Sequence, residues 1–342
     1  MSKNWISWFE DLGQDENNLV GKKSANLGEM TRMGLRVPPG FALSLEAYKD
    51  FMLLTGADEE VKAHLNKADH DFENIQHFNE VGATLRNIVE SRELPPEMRD
   101  AILSHYRELC SRCNTDELAV SVRSAGAASH PGQYETYLNV IGESGLLEKI
   151  KKVWSSSFNP RSLSARKRVG APLETDPVGV AVVKMVNARS AGVLFTADPN
   201  TGDTSRMIIE ANWGLGESVV GGEAVPDVYI LEKEGLNLIE KKMGTKGKII
   251  TFKDVGVAEE DTPDEKCDTH CLTDEEAKEI GRLGIQLETH FGVPQDAELA
   301  IEQDLTCPES VVLLQTRAEV IAKQKKPVDQ ILDLMMNRFG SK

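Results

Sequence analysis

The chain is short of the features that would place it outside a cell or across a membrane. It has five cysteines in 342 residues, an odd count in a chain long enough to bury its own core, so no disulfide framework is expected and the thiols read as reduced. No stretch approaches the roughly 18 consecutive apolar residues of a spanning helix. The opening MSKNWISWFEDLGQDENN has neither the apolar region nor the small-residue cleavage site of a secretory signal, so the expectation is a cytoplasmic protein with no membrane contact. Basic residues are scarce: 39 Lys and Arg against 55 Asp and Glu leave −16 at pH 7, the wrong sign for a general nucleic-acid binder. No glycine period, internal repeat or heptad is present, which excludes collagen, solenoids and coiled coils. The G-x-x-x-x-G-K-[ST] phosphate loop is missing, and the glycines of WGLGESVVGG do not complete G-x-G-x-x-G.

What is present is an ordinary globular composition, 40% hydrophobic, at a length that suggests about two domains. Helix and strand signals alternate in the first third. Gly21 precedes a helix over KKSANLGEMTRMG that Gly34 can stop, Ser44 can cap LEAYKDFMLL, and Pro95 and Pro96 start a further helix. From Leu118 the texture turns to strands: LAVSVRS, TYLNV, VGVAVVKMV, GVLFTADP, RMIIEANW, VYILEK, NLIEKKM and KIITF, with one helix near GLLEKIKKVWSSSF. The acidic connector from Glu259 to Glu265 reads as an exposed loop. Thr273 and Glu276 form a T-x-x-E capping box ahead of a helix whose Ile280, Leu283, Leu287 and Phe291 share one face. Two further strands, QDAELAIEQD and SVVLLQTRAEV, come after it.

Side chains alternate across a strand, so Asp296 and Glu298 share one face, and so do Gln315 and Arg317. If the strands pair, carboxylates, an amide and a guanidinium converge. Such oxygens suit Mg²⁺ on phosphates and the arginine suits phosphate oxygens; the alternative is a solvated edge with one salt bridge. Lys22 and Lys23 at a helix start oppose the macrodipole, which is understandable if an anion binds there and unremarkable if they are simply exposed. Arg123 ends an apolar strand before a run of small residues, SAGAASHPG, where backbone N–H groups can approach phosphates; His130 in that run reads as a loop residue. Cys110 with Cys113 and Cys267 with Cys271 have zinc-compatible spacing, but the pairs are far apart in sequence and read better as unrelated thiols.

Taken in order, GKKSANLGEM, VPPGFAL, SVRSAGAASHPGQYETYLN, AGVLFTADP, NWGLGES, PQDAELAIEQD and LLQTRAEV resemble the N-terminal nucleotide-binding region of phosphoenolpyruvate synthase and pyruvate phosphate dikinase, shared by rifampin phosphotransferase. The resemblance runs to about Val320. It implies an α+β, ATP-grasp fold with ATP between two subdomains, over residues 1–190 and 191–322, followed by a basic hinge and amphipathic tail over 323–342. It further implies that Lys23, Arg123 and Arg317 act on the phosphates, that Thr136 and Gln315 also contact nucleotide, and that Glu298, Gln315 and Asp296 hold Mg²⁺. Val183 stands where the family commonly has glutamine, and Leu299 where it has tryptophan.

The implied activity splits ATP to AMP and phosphate and passes the β-phosphoryl to a histidine. The G-G-x-T-x-H-A-A segment that carries this histidine in the family is not in the sequence, and His270 in DTHCLT has no glycines before it. The expectation is therefore a partner subunit bearing the phosphohistidine, as in phenylphosphate synthase, with a small acceptor such as a phenol or pyruvate. The amphipathic positions Val328, Ile331, Leu332 and Met335 would dock that partner or pack on their own domain. A self-sufficient small-molecule kinase, an ATP-grasp ligase and a non-catalytic nucleotide-binding regulator are the rival readings.

Overall fold

The computed structural model describes residues 4–67, 75–126, 134–220 and 225–320; His130 and the tail positions fall outside them. Strands β1 (Ile6–Trp8), β2 (Gly40–Leu43), β3 (Val120–Ala125), β4 (Thr136–Val140) and β5 (Gly179–Lys184) form an antiparallel sheet in the order β1-β2-β5-β3-β4. Further along run β6 (Ala188–Phe195), β7 (Arg206–Trp213), β8 (Asp227–Glu232), β9 (Leu238–Lys242), β10 (Lys248–Phe252), β11 (Val257–Asp261), β12 (Gln295–Glu302) and β13 (Val311–Ala318). Six of these make a second antiparallel sheet, β13-β12-β6-β7-β8-β9, while β10 and β11 pair only with each other as a hairpin. With helices set against antiparallel sheets, the class is α+β.

The period of two explains how the first sheet is buried on both sides. Val180 and Val182 of β5 join a core with Tyr48, Phe51, Tyr106 and Trp154 from the helices Leu45–Leu54, Pro96–Arg112 and Glu143–Ser155. Ala181 and Val183, on the opposite face, join a second core with Ala25, Leu27 and Met30 of the Lys22–Arg32 helix. That second core continues into Leu194, Ile209, Leu299 and Leu313 of the six-stranded sheet and Ile280, Leu283 and Leu287 of the helix Asp274–Phe291. The Lys22–Arg32 helix is thus the packing element common to both sheets.

Local signals read from the sequence hold at the caps. Ser44 Oγ accepts from Ala47 N at 3.2 Å, Pro96 is the first residue of its helix, and Thr273 and Glu276 close a reciprocal capping box at 2.9 and 3.2 Å. The acidic connector is a correction: Glu259, Glu260 and Asp261 lie in β11, with Asp264–Cys267 forming a short helix after it. Their charges are met across the hairpin, where Lys248 pairs with Asp261 and Glu259 and Lys253 pairs with Glu260. The zinc alternative also fails on position, because Cys110 is buried in the first core and Cys271 in the second.

Candidate functional site

The site begins with a close approach of backbones. Gly21 has φ +83°, and a Cβ there would sit 2.1 Å from Ala125 O, so only glycine lets the Lys22–Arg32 helix start against the end of β3. Lys22 N donates to Gly126 O at 2.9 Å and fixes the junction. Lys23 is thereby brought beside Arg123, with Asn26 one turn further along the same helix face.

The other half comes from β12 and β13. Asp296 lies opposite Arg317 and Glu298 opposite Gln315, but the register then shifts so that Leu299 faces Leu313. Leu314 is the extra residue of a β-bulge, and it re-aims the side chains after it. Strict alternation from the buried Val311 and Leu313 would turn Gln315 and Arg317 toward the core; the bulge turns them to the side of Glu298 instead. The carbonyl of this bulged residue does not go unpaired, since Arg123 Nη1 donates to Leu314 O at 3.0 Å. Arg123 Nη2 donates to Glu298 Oε2 at 2.7 Å and to Gln315 Oε1 at 3.1 Å, and Asn26 Nδ2 donates to Thr316 O at 2.7 Å. One strand end from the first sheet is therefore bonded to the edge of the second through Arg123.

These residues line a cavity of about 480 Å³, within the range of small-molecule sites. Its two ends differ. Val186, Ala191, Ala300, Ala188 and Leu314 make an apolar end. At the other end Lys22, Lys23, Arg123 and Arg317 gather around Glu298, Gln315 and Thr136, so the lining is cationic within a chain of net charge −16. Val183 and Leu299, the two departures from the resembled pattern, line the cavity as well.

The electrostatics follow from this crowding. Burial, and then the charges of Arg123 and Arg317, lower the Lys23 pKa to about 8 against the pull of Glu298. Among the described residues no hydrogen bond or ion pair forms at Lys23 Nζ. Burial works against ionisation of Glu298, but Arg123 and Lys23 outweigh it and hold the carboxyl below its ordinary value. Asp296 is shifted the other way, raised by burial despite Arg317. It does not line the cavity; Arg317 Nε reaches its Oδ2 at 2.7 Å, so this carboxylate holds the guanidinium.

Of the residues singled out from sequence, Lys23, Arg123, Thr136, Glu298, Gln315 and Arg317 line one cavity and Asp296 stands directly behind it. His270 is elsewhere, with Nδ1 3.6 Å from Asp227 Oδ2. Sequence reasoning missed Asn26, Ser124, Tyr134 and Glu217, which also line the cavity. Asn26 was within reach, because it comes three residues after Lys23 on a helix.

A cavity with an apolar end and a cluster of cations at the other is the form taken by a binding site for an anionic, partly apolar ligand. The chain belongs to the family described as pyruvate phosphate dikinase, AMP/ATP-binding domain, whose model matches residues 17–338. It is 36% identical to a probable phosphoenolpyruvate synthase of Staphylothermus marinus, an alignment covering 95% of this chain and 42% of the relative. It is 34% identical to the phosphoenolpyruvate synthase of Aeropyrum pernix, over 95% of this chain and 43% of that one. For the Pyrococcus furiosus phosphoenolpyruvate synthase the identity is 32%, over 96% and 46%. The chain thus spans less than half the length of these curated relatives. No described helix is long and apolar enough to cross a membrane.

Proposed function

We propose that this chain is the ATP-binding part of a dikinase-type phosphotransferase, which splits ATP to AMP and phosphate, the β-phosphoryl passing to a histidine on a partner subunit and the γ-phosphoryl to water. The two sheets would be the two subdomains of an ATP-grasp fold meeting near residue 190. The observation that carries the reading is the convergence of Lys23, Arg123 and Arg317 on Glu298 and Gln315 in a cavity that also has an apolar cluster in its wall.

The chemistry asks little else of the protein. Phosphoryl transfer is catalysed chiefly by positioning and by neutralising charge on the transferring group. The apolar end takes the base, and the polar end takes the phosphates with Thr136 beside them. The Asp296 carboxylate fixes Arg317, and the Leu314 carbonyl and Glu298 fix Arg123, so both guanidinium groups are oriented before substrate arrives. The donor set fits Mg²⁺: an ionised carboxylate and an amide oxygen, with phosphate oxygens and water completing the shell, suit a cation that keeps several waters. Glu298 and Gln315 would hold it, with Asp296 behind them, and the metal would supply further neutralisation of phosphate charge. The terminal acceptor is a small molecule such as a phenol or pyruvate, and the setting is cytoplasmic.

Nucleotide chromatography separates this reading from its rivals. With Mg²⁺, ATP labelled at the β-phosphate and the histidine-bearing partner, AMP should accumulate and label should appear on the partner. ADP as the only product would point to a ligase or a simple kinase. Glu298→Ala and Arg317→Ala should each abolish labelling; near-normal phosphohistidine in either would refute the assigned roles.

A further inference from the structure

The β10–β11 hairpin belongs to neither large sheet, yet it is tied to both. Along β10, Leu215 N donates to Ile250 O at 3.0 Å, Gly214 bridges Ile250, and Asn212 Nδ2 donates to Lys248 O at 2.9 Å. At its tip one residue of the first sheet makes the attachment. Asn139 Nδ2 donates to Lys253 O at 2.7 Å and to Gly256 O at 2.8 Å, and Asn139 O accepts from Gly256 N at 3.0 Å. Among the described residues no other hydrogen bond joins the hairpin to the first sheet. Asn139 is buried and holds φ at 51°, a left-handed conformation that asparagine tolerates better than most side chains. Both anchorages adjoin the cavity in sequence: Thr136 and Leu138 lie just before Asn139 on β4, and Leu215, Gly216 and Glu217 come directly after the Gly214 bridge.

We infer that β10–β11 is a strap beside the cavity, joining the two sheets outside its lining, and that Asn139 is the positioning residue that fastens it, holding the wall from Leu215 to Glu217 against bound ATP. The inference rests on the ATP reading above. Fastening by one residue makes the strap releasable: with the two amide hydrogen bonds lost, only the bond from Gly256 N to Asn139 O remains, and the open population rises on the order of tenfold. Unfastening would loosen the Leu215–Glu217 wall and so speed nucleotide release.

Two variants test it. Asn139→Asp keeps the shape but presents an acceptor to two carbonyls, and Asn139→Gly keeps the left-handed backbone while removing the side chain. Each should release methylanthraniloyl-ATP about tenfold faster, and amide exchange at Gly256 and Leu215 should quicken while Leu283 and Leu287 keep their protection. An unchanged release rate alongside faster hairpin exchange would overturn the strap, and unchanged exchange would overturn fastening by Asn139. If neither variant folds, the unaltered chain decides: ATP must slow exchange at Gly256, and equal exchange with and without ATP overturns the inference. An unaltered chain that binds no ATP overturns the functional reading and the strap with it. ATP binding that Asn139→Asp leaves equally tight and equally slow to release overturns the strap alone.

Discussion

Raising the pH should loosen ATP before it harms the fold. Lys23 is half-buried at its helix start, where burial, and then Arg123 and Arg317, bring its pKa from 10.5 to about 8. A bound triphosphate adds negative charge beyond that of Glu298 beside Lys23, so the complex keeps the proton to a higher pH than the free protein does. With a free-state value of about 8 and a complex that stays protonated through pH 9, linkage raises Kd about eightfold from pH 7.5 to pH 9. Both conditions lie above the second phosphate ionisation near pH 6, so the ligand charge stays constant. Isothermal titration at several pH values reads this directly. Lys23→Arg should bind ATP with a Kd that is flat over the same window, and Lys23→Met should bind weakly and equally flatly. A wild-type Kd that moves less than about twofold, or a Lys23→Arg protein that keeps the slope, would refute the reasoning. Stability should move the other way. The folded-state pKa lies below the unfolded one, so between about pH 8 and 10.5 the unfolded chain binds more protons and stability rises with pH.

Other residues give independent tests. Arg123→Met removes the donor to Glu298, Gln315 and the bulge carbonyl together, and should lower the transfer rate by about 10²–10³ in the labelled-ATP assay. Lys246 and Asp227 form a fully buried ion pair at 2.6 Å; Lys246→Met should cost about 3–5 kcal/mol in denaturant unfolding, and adding Asp227→Asn should recover part of it. Burial raises the Glu319 carboxyl from 4.5 to about 7, so the unfolded chain ionises first and the cost to stability, which builds between those values, is fully present above about pH 7. Glu319→Gln should raise Tm at pH 8 and leave it nearly unchanged at pH 5, and an equal gain at both would refute that cause. Gly21→Ala, with a Cβ 2.1 Å from Ala125 O and a positive φ, should lower both Tm and ATP affinity.

Much of the site was legible because it rests on local rules. Alternation in DAELAIE put Asp296 and Glu298 on one face, and the lysines at a helix start raised an anion site before any fold was known. The bulge at Leu314 was not legible, since LLQTR carries no glycine or other mark of an inserted residue. Its cause is nonlocal: the Arg123 guanidinium, nearly 200 positions away in sequence, takes the freed carbonyl. The acidic connector misled for the same reason, because the lysines that make β11 tolerable lie across a hairpin. Thr136 was reached through the resemblance and not through its own chemistry, and the structure places it opposite Arg123 in the β3–β4 register.

The most direct test of the account is a structure of the chain with Mg²⁺ and a non-hydrolysable ATP analogue. The base is expected among Val186, Ala300 and Leu314 and the phosphates among Lys23, Arg123 and Arg317, with the metal on Glu298 and Gln315. An analogue bound outside this cavity, or bound with its phosphates at the apolar end, would contradict it.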